Sequence, residues 1–134
     1  MRVLVTGGAG FIGSHLCERL LGRGDEVVAL DNLNDYYDPA IKQRNLAAAI
    51  ESPQMTFVKG DIREADLLDR IFSTHPFDVV VHLAARAGVR PSLEQPLLYE
   101  DVNCRGTLNL LEEARKRSIS RFVFASSSSV YGNV

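Results

Sequence analysis

The sequence predicts an α/β fold in which a doubly wound parallel sheet of about five strands carries helices on both faces. Short apolar runs alternate five times with helical patterns, which is the rhythm of parallel strands joined by helical crossovers. These runs are β-branched or aromatic and do not alternate with polar residues, as expected for strands covered on both faces. With 134 residues, of which 46% are hydrophobic and 24% charged, the chain has the composition of one globular domain.

The predicted strands and helices follow one another along the chain. The strands cover residues 3–5, 27–30, 56–58, 79–81 and 122–125. The helices cover residues 12–23, 39–50, 61–72 and 96–117, the last as one long helix. Asp38 is expected to cap the second helix, because proline follows it at the first helical position. Ligands of such sheets bind at the carboxyl ends of the strands, so the residues that follow each strand are the candidates for a site.

The charge and the cysteines exclude several classes of protein. Fifteen Lys and Arg against 17 Asp and Glu give a net charge of −2, so neither a nucleic-acid nor a membrane partner is expected. Cys17 and Cys104 have no metal-binding spacing and are expected to be buried, reduced thiols. His15, His75 and His82 lack neighbouring ligands, so no metal site is expected. Without a secretion signal or a membrane span, the chain is expected to be cytoplasmic.

A glycine-rich turn directly follows the first predicted strand, in the sequence Thr-Gly-Gly-Ala-Gly-Phe-Ile-Gly over residues 6–13. It matches both G-x-G-x-x-G and G-x-x-G-x-x-G, and the second register begins next to the strand. In that register Gly7 makes the tight turn, Gly10 lets the backbone approach a pyrophosphate, and Gly13 lets helix and strand pack closely. The order strand, turn and helix predicts a Rossmann-type dinucleotide site, and a flexible surface turn is the alternative.

Two acidic residues end the next two strands. Asp31 lies 18 residues beyond Gly13, where a carboxylate accepts hydrogen bonds from the hydroxyls of an adenosine ribose. It would repel a 2′-phosphate and so favours NAD over NADP; the alternative is a turn residue ahead of Asn32. Asp61 offers an acceptor for the adenine amino group, with Ile62 beside the ring, or serves as a helix N-cap.

Small residues and arginines follow the fourth strand. Residues 83–85, Leu-Ala-Ala, suit a backbone that passes close to a cofactor, and Arg86 and Arg90 follow in the same loop. Gly106 interrupts the last helix at a cost of about 1 kcal/mol relative to alanine, which indicates a close approach there. Asn103 lies one turn earlier and can present its amide on the same side, although core packing alone would also explain this pair.

A row of four serines, residues 126–129, follows the fifth strand. Its position at the carboxyl end of the strand places the hydroxyls at the predicted crevice. No His/Asp pair suits a serine nucleophile, so these hydroxyls are expected to bind a substrate by hydrogen bonds. A hydroxyl-rich loop without a ligand is the alternative.

Together these segments resemble the extended short-chain dehydrogenase/reductase family across the whole chain. The segments are TGGAGFIGSHL, DNLNDYYDP, GDIR, HLAARAGVR, Asn103-x-x-Gly106-Thr107 and SSSSVYGN. Within that family they are most similar to the UDP-glucuronate 4-epimerases of the NAD-dependent epimerase/dehydratase group.

The resemblance implies a cofactor, a substrate and the residues that bind them. The cofactor is NAD and the partner is a UDP-sugar, bound by a full-length enzyme that forms a homodimer. The residues implied to line the NAD site are Gly7, Gly10, Phe11, Ile12, Gly13, Asp31, Asn32, Asp61, Ile62, Leu83, Ala84, Ala85 and Asn103. Ser127 is implied to be the catalytic hydroxyl, and Arg90, Ser128 and Ser129 are assigned to the substrate.

The chain departs from the family pattern at two places. Ala87 stands where galactose-type epimerases usually carry lysine, so a pyrophosphate contact would come from Arg86 or Arg90. The family's catalytic Y-x-x-x-K lies downstream of the serines, and Tyr131 is not that tyrosine. We therefore interpret residues 1–134 as the N-terminal NAD-binding domain of a longer enzyme and expect them to be inactive alone.

The expected activity of the longer enzyme is 4-epimerisation of UDP-glucuronate or UDP-galacturonate by transient oxidation at sugar carbon 4. A UDP-glucuronate decarboxylase or a sugar-nucleotide 4,6-dehydratase is the alternative among enzymes. The dehydratase resembles this chain less, because it would carry Asp-Glu at positions 128 and 129. A non-catalytic dinucleotide sensor is the alternative of another class.

Overall fold

The computed structural model describes residues 1–36 and 38–133, and its centre is one parallel sheet. The strands are β1 (Arg2–Thr6), β2 (Glu26–Asp31), β3 (Met55–Lys59), β4 (Val79–His82) and β5 (Phe122–Phe124). Every neighbouring pair is parallel, and the order across the sheet is β3-β2-β1-β4-β5. This order confirms the doubly wound fold. The strand order reverses direction between β1 and β4, which leaves a crevice at their carboxyl ends.

Helices cover both faces of the sheet. They are α1 (Phe11–Gly22), α2 (Pro39–Leu46), α3 (Ala65–Thr74), α4 (Val89–Glu94), α5 (Pro96–Glu100) and α6 (Gly106–Lys116). On one face Cys17 of α1 and Leu46 of α2 pack against buried side chains of β1 and β2. On the other face Leu68 of α3 and Leu110 of α6 are fully buried against the sheet. Full burial of a leucine contributes about 2 kcal/mol, so both helix layers hold the strands whose ends form the crevice.

The helix that was expected over residues 96–117 is divided. A π-helical segment, Asp101–Arg105, separates α5 from α6. The wider π turn buries Val102 and leaves Cys104 exposed, which corrects the expectation that both cysteines are buried. Such segments insert an extra residue into a helix and re-aim its side chains, a change that apolar spacing does not reveal.

Two other helix boundaries differ from the sequence expectation, and one short helix was not predicted. The second helix ends at Leu46, and Ala49–Glu51 form a separate 3₁₀ turn. The third begins at Ala65 instead of residue 61, because the Asp61 carboxylate accepts a hydrogen bond from the backbone N–H of Arg63 and holds a turn there. The short helix α4 was not predicted, since none of its residues is buried and no apolar periodicity marks it.

The strand β5 lies at one edge of the sheet. Within the described residues β5 pairs with β4 alone, and Val123 and Phe124 are 53% and 56% exposed, so this strand is not covered on both faces as expected. The Asp38 cap is confirmed by a hydrogen bond of 2.9 Å from the Ala40 N–H to its carboxylate. Tyr37 of the DNLNDYYDP segment and Val134 lie outside the described residues. None of the helices described is both long and apolar enough for a membrane span.

Candidate functional site

A cavity of about 380 Å³ lies at the carboxyl ends of the strands, within the range of ligand sites in proteins. Twelve of the thirteen residues predicted for the cofactor line it: Gly7, Gly10, Phe11, Ile12, Gly13, Asp31, Asn32, Asp61, Ile62, Leu83, Ala84 and Ala85. The thirteenth, Asn103, is not part of the lining but hydrogen-bonds the backbone of Arg86, which is. Sequence reasoning missed Tyr36 and Lys42, which also line the cavity. The structure therefore gathers the predicted residues into one crevice, while their role in binding stays a prediction.

The glycine-rich turn forms the floor of the cavity. Gly7 has φ of 69°, and a β-carbon there would lie 2.9 Å from the backbone nitrogen of Ala84. A β-carbon on Gly13 would overlap the carbonyl oxygen of Gly7 and lie 2.9 Å from the Cα of Gly8. Only glycine fits at either position, which brings β1, the start of α1 and the end of β4 into direct contact.

The N-terminus of α1 points into the same space. The first backbone hydrogen bond of the helix runs from the N–H of Ser14 to the carbonyl of Gly10, so the N–H groups of residues 11–13 precede the helical pattern. Phe11 and Ile12, at this end of the helix, are 72% and 68% exposed and line the cavity. Free N–H groups and the helix dipole favour an anion at this position.

The carboxylate of Asp31 is buried at the end of β2 and is already partly occupied. Its Oδ1 accepts hydrogen bonds from the N–H of Leu33 at 2.8 Å and from Nζ of Lys42 at 2.9 Å. Its Oδ2 accepts one from the N–H of Ala9 at 3.1 Å. Each oxygen of a carboxylate has two lone pairs, so Oδ2 keeps one position for a ligand. The hydrogen bonds already made thus allow this oxygen one further donor, where the sequence suggested that the carboxylate accepts from two ribose hydroxyls.

The carboxylate of Asp61 accepts four hydrogen bonds, one more than that of Asp31. Its Oδ1 accepts from the backbone N–H and from Nε of Arg63, and its Oδ2 accepts from Nη2 of Arg63 and Nδ2 of Asn32. The Arg63 side chain is the main reason that the pKa of Asp61 is lowered to about 2. An adenine amino group is a donor, so it could bind this carboxylate only by displacing one of these four hydrogen bonds.

His82 connects the end of β4 to the strands and helices around it through a defined hydrogen-bond network. Two backbone N–H groups, from Leu83 and Ala84, lie 3.1 Å from Oγ1 of Thr6. The hydroxyl hydrogen of Thr6 therefore points to Nδ1 of His82, 2.7 Å away. On the other side Thr107 donates its hydrogen to a backbone carbonyl, so its oxygen accepts from Nε2 of His82 at 2.8 Å.

Both sides of the ring therefore require the same neutral tautomer, with hydrogen on Nε2 alone. A second proton on Nδ1 would face a hydroxyl that is already surrounded by donors. Burial lowers the pKa of His82 to about 4, in agreement with this arrangement. The network fixes the peptide between Leu83 and Ala84, which lines the cavity.

Asn103 holds the loop that follows β4. Its Oδ1 accepts from the N–H of Arg86 at 2.8 Å, and its Nδ2 donates to the carbonyl of Arg86 at 3.1 Å. One turn earlier, the hydroxyl of Tyr99 donates to the carbonyl of Ala87 at 2.8 Å. The π-helical segment thus presents Asn103 to the loop backbone, and we expect it to act on the cofactor by positioning this loop.

Arg86 lies between this support and the cavity. Its guanidinium carbon is 5.7 Å from the centre of the Tyr99 ring. Among residues 1–36 and 38–133, no atom pairs with its buried Nε. A buried donor without a partner costs free energy, so this atom is under strain in the structure described.

Replacement of Asn103 by alanine tests the support of this loop. We expect a loss of about 2 kcal/mol in the free energy of unfolding, because the backbone N–H and carbonyl of Arg86 both lose their partner. Urea unfolding measures the change. Asn109→Ala is the matched control, since its side chain makes one bond to the Ile62 carbonyl, and its loss should cost about half as much. Equal losses for both variants would contradict a two-bond clamp.

The residues predicted for the substrate lie outside the cavity lining. Arg90 is exposed on α4, and Ser127, Ser128 and Ser129 are exposed beyond β5. Ser127 caps a 3₁₀ turn, Ser128–Tyr131, and its Oγ accepts from the N–H of Ser129 at 3.1 Å. Its hydroxyl hydrogen is therefore available to another acceptor. Ala125, at the carboxyl end of the fifth strand, lines the cavity next to this turn.

The glycine turn, the acidic end of β2 and the crevice at the reversal of strand order define a Rossmann-type α/β domain. The model of the family described as "NAD dependent epimerase/dehydratase family" matches residues 3–134. The chain belongs to this family, which confirms the resemblance seen in its motifs.

The most similar proteins include several named UDP-glucuronate 4-epimerases. UDP-glucuronate 4-epimerase 3 of Arabidopsis thaliana is 50% identical over 131 residues, which are 97% of this chain and 30% of that protein. The UDP-glucuronate 4-epimerase of Thermodesulfobacterium geofontis is 48% identical over 96% of this chain and 40% of its own length. The chain therefore spans 30–40% of the length of these curated relatives.

A solved epimerase structure is also similar to this chain. It is the UDP-glucuronic acid 4-epimerase of Bacillus cereus in complex with UDP-glucuronic acid and NAD. Its TM-score to this chain is 0.91 at 37% sequence identity, with 100% of this chain and 42% of that chain covered.

Proposed function

We propose that residues 1–134 bind NAD in the crevice and serve a nucleotide-sugar 4-epimerase of the UDP-glucuronate type. The observation that carries the proposal is that the glycine turn and the N-terminus of α1 line the same crevice. Only glycine fits at Gly7 and Gly13 in this turn, and Arg86 lines the cavity with them. A pyrophosphate would accept hydrogen bonds from the N–H groups that begin α1.

The rest of the cavity suits the remainder of a dinucleotide. Oδ2 of Asp31 offers one acceptor to the adenosine ribose. Ile62 packs against Gly106, where a β-carbon would lie 2.5 Å from Cδ1 of Ile62, and this leaves an apolar side chain beside the adenine. Leu83 and Ala84 lie at the end of β4 on the other half of the crevice. These residues hold and orient the cofactor.

When bound, NAD would supply reversible hydride transfer at carbon 4 of the sugar. In this proposal, residues 1–134 bind and orient the cofactor. Residues 1–134 contain no Tyr-x-x-x-Lys, and the relatives are much longer. The proposal therefore gives the general base to residues outside this sequence, and residues 1–134 alone bind the cofactor without turnover.

Calorimetric titration of the chain with NAD and with NADP tests the binding step. We expect NAD to bind more tightly, and Asp31→Ala to weaken NAD binding about ten- to a hundredfold, because a charged hydrogen bond contributes about 1.5–3 kcal/mol. Wild-type chain that binds neither dinucleotide would overturn the proposal.

An experiment on the full-length enzyme distinguishes the epimerase from a non-catalytic dinucleotide sensor. Mass spectrometry of the nucleotide released from the purified protein, followed by product analysis with UDP-glucuronate, reports the cofactor and the reaction together. Formation of UDP-galacturonate supports the epimerase. Bound NAD without any product would favour the sensor, and a UDP-pentose as the main product would favour a decarboxylase.

The serines after β5 are proposed to control the fate of the oxidised sugar in the full-length enzyme. A 4-keto glucuronate is a β-keto acid, which loses carbon dioxide when its carboxylate bond aligns with the carbonyl π system. Hydroxyl donors that hold the carboxylate in another orientation would suppress this loss. Ser128 and Ser129 are exposed in the 3₁₀ turn that follows β5 and are assigned this role, with Ser127 donating to the oxygen on carbon 4.

We expect Ser128→Ala or Ser129→Ala to raise the ratio of UDP-pentose to epimerised product in the full-length enzyme. Ser127→Ala should mainly slow hydride transfer and leave the ratio unchanged, which makes it the matched control. Chromatography of the products after fixed conversion measures both effects. An unchanged product ratio in both of the first two variants would contradict the carboxylate role.

A homodimer of the full-length enzyme is also proposed. Leu97 of α5 and Leu108 and Leu111 of α6 are 83%, 59% and 43% exposed. Exposed leucines grouped on neighbouring helices are typical of surfaces between subunits. Light scattering at increasing protein concentration measures the oligomeric state.

A further inference from the structure

Asn45 lies on α2, outside the cavity lining, and contacts the glycine turn through its side chain. Its Nδ2 donates a hydrogen bond to the carbonyl of Ala9 at 3.0 Å. The N–H of Ala9 donates to Oδ2 of Asp31 at 3.1 Å. Ala9 is fully buried and, like Asn45, is not part of the lining. Side chains from α2 and β2 therefore hold both polar backbone groups of Ala9.

The turn needs such anchors because three of its four residues, 7–10, are glycine. Glycine has more backbone conformations than any other residue, so a turn built from it is not rigid by itself. A site that is ordered before its ligand arrives binds more tightly, since less conformational freedom is lost on binding. The two hydrogen bonds to Ala9 provide this order from outside the turn.

The hydrogen bond from Asn45 also fixes the peptide that leads into α1. A trans peptide is planar, so the direction of the Ala9 carbonyl determines the direction of the Gly10 N–H. That N–H donates to the carbonyl of Gly7 at 3.1 Å, and the Gly10 carbonyl accepts from the N–H of Ser14 at 2.9 Å. Gly10 lines the cavity directly before the N–H groups that begin the helix. Movement of the Ala9 carbonyl would therefore displace the helix end at which an anion is expected to bind.

We propose that Asn45 is a positioning residue for the pyrophosphate of a bound dinucleotide. It acts through the Ala9 carbonyl and touches no ligand itself. Loss of the amide leaves this carbonyl without its partner and gives the peptide additional orientations, which do not suit an anion at the start of α1. Adenosine has no phosphate, so its binding does not depend on this peptide. The proposal rests on the proposed binding of NAD.

The test compares wild type, Asn45→Ala and Asn45→Asp in their affinities for NAD, ADP and adenosine. Calorimetric titration measures NAD and ADP, and NMR titration measures the more weakly bound adenosine. We expect Asn45→Ala to weaken the binding of NAD and ADP about fivefold, the equivalent of one hydrogen bond, and to leave the adenosine affinity unchanged. Asn45→Asp should weaken NAD and ADP about twentyfold, because a carboxylate of nearly the same shape repels both the Ala9 carbonyl and the phosphates.

Gln54→Ala is the matched control. Nε2 of Gln54 donates to the carbonyl of Gly24 at 3.3 Å, so this variant also loses one hydrogen bond from a side-chain amide to a backbone carbonyl. Neither residue lines the cavity, and all three affinities should stay at their wild-type values. Gln43→Ala, at an exposed position of α2, controls for a change in the helix itself and should also leave them unchanged.

The outcomes separate the role of Asn45 from the proposed function. Wild type that binds NAD, together with Asn45→Ala that binds NAD and ADP equally well, overturns the role of Asn45 alone. An equal loss of affinity for adenosine overturns it as well, since that pattern reflects a general loss of structure. If Asn45→Asp does not fold, the three affinities of Asn45→Ala decide the matter. Wild type that does not bind NAD overturns the proposed function and the role of Asn45 together.

Discussion

Replacement of Gly13 by alanine should abolish dinucleotide binding and lower the free energy of unfolding by about 3 kcal/mol. The added β-carbon would overlap the carbonyl oxygen of Gly7, which is backbone and has no rotamer to change. Overpacking in a filled interior costs about 1–3 kcal/mol, and the upper end applies where backbone must move. The movement would separate α1 from the glycine turn and disturb the anion site. Urea unfolding and calorimetric titration with NAD measure the two effects.

Gly22→Ala is the matched control, because Gly22 lies in the same helix and a β-carbon there meets no atom within 4 Å among the described residues. Alanine is the better helix former, so this variant should gain about 0.5 kcal/mol and keep its affinity for NAD. If Gly13→Ala retained wild-type stability and affinity, the close contact between helix and turn would not be required for the site.

The chain should lose stability as the pH falls from 6.5 to 4, and His82 should account for about 3 kcal/mol of that loss. The pKa of His82 is lowered from 6.5 to about 4 by burial. Between these values the unfolded chain binds a proton that the folded chain does not, so acid favours unfolding. The contribution is fully present above pH 6.5 and is lost as the pH falls towards 4. Asp61, with a pKa lowered to about 2, acts in a separate window below pH 4.

Urea unfolding at pH 7, 5.5 and 4 measures this slope. His82→Gln removes the titrating group while it keeps one acceptor for Thr6 and one donor for Thr107, so its stability should depend much less on pH over this range. His75→Gln is the comparison variant, because His75 is only half-buried and its pKa is lowered mainly by that partial burial. Equal slopes in wild type and His82→Gln would show that the ring is not held in its neutral form.

Much of the fold and part of the site follow from local patterns. Strand-length apolar runs that alternate with helical spacing predict a parallel sheet, because both faces of its strands must be covered. Glycines at positions 7 and 13 mark the turn between β1 and α1, since their spacing reflects a steric requirement of the turn itself. Asp31 is predicted as a cavity residue because it ends the second strand, 18 residues beyond Gly13. These features depend on residues near one another in sequence, and the structure agrees with the positions that they predict.

The remaining features depend on which segments meet in space, and only the tertiary structure decides them. Lys42 looks like an ordinary exposed lysine in the sequence, and its burial follows from the packing of α2 beside Asp31. Asp61 offers a free carboxylate in the sequence, whereas Arg63 and Asn32 occupy all four of its lone pairs in the fold. The π-helical segment before α6 directs the Asn103 amide to Arg86, 17 residues away. Hydrogen bonds and ion pairs between distant segments satisfy these groups, and neither spacing nor composition records such partners.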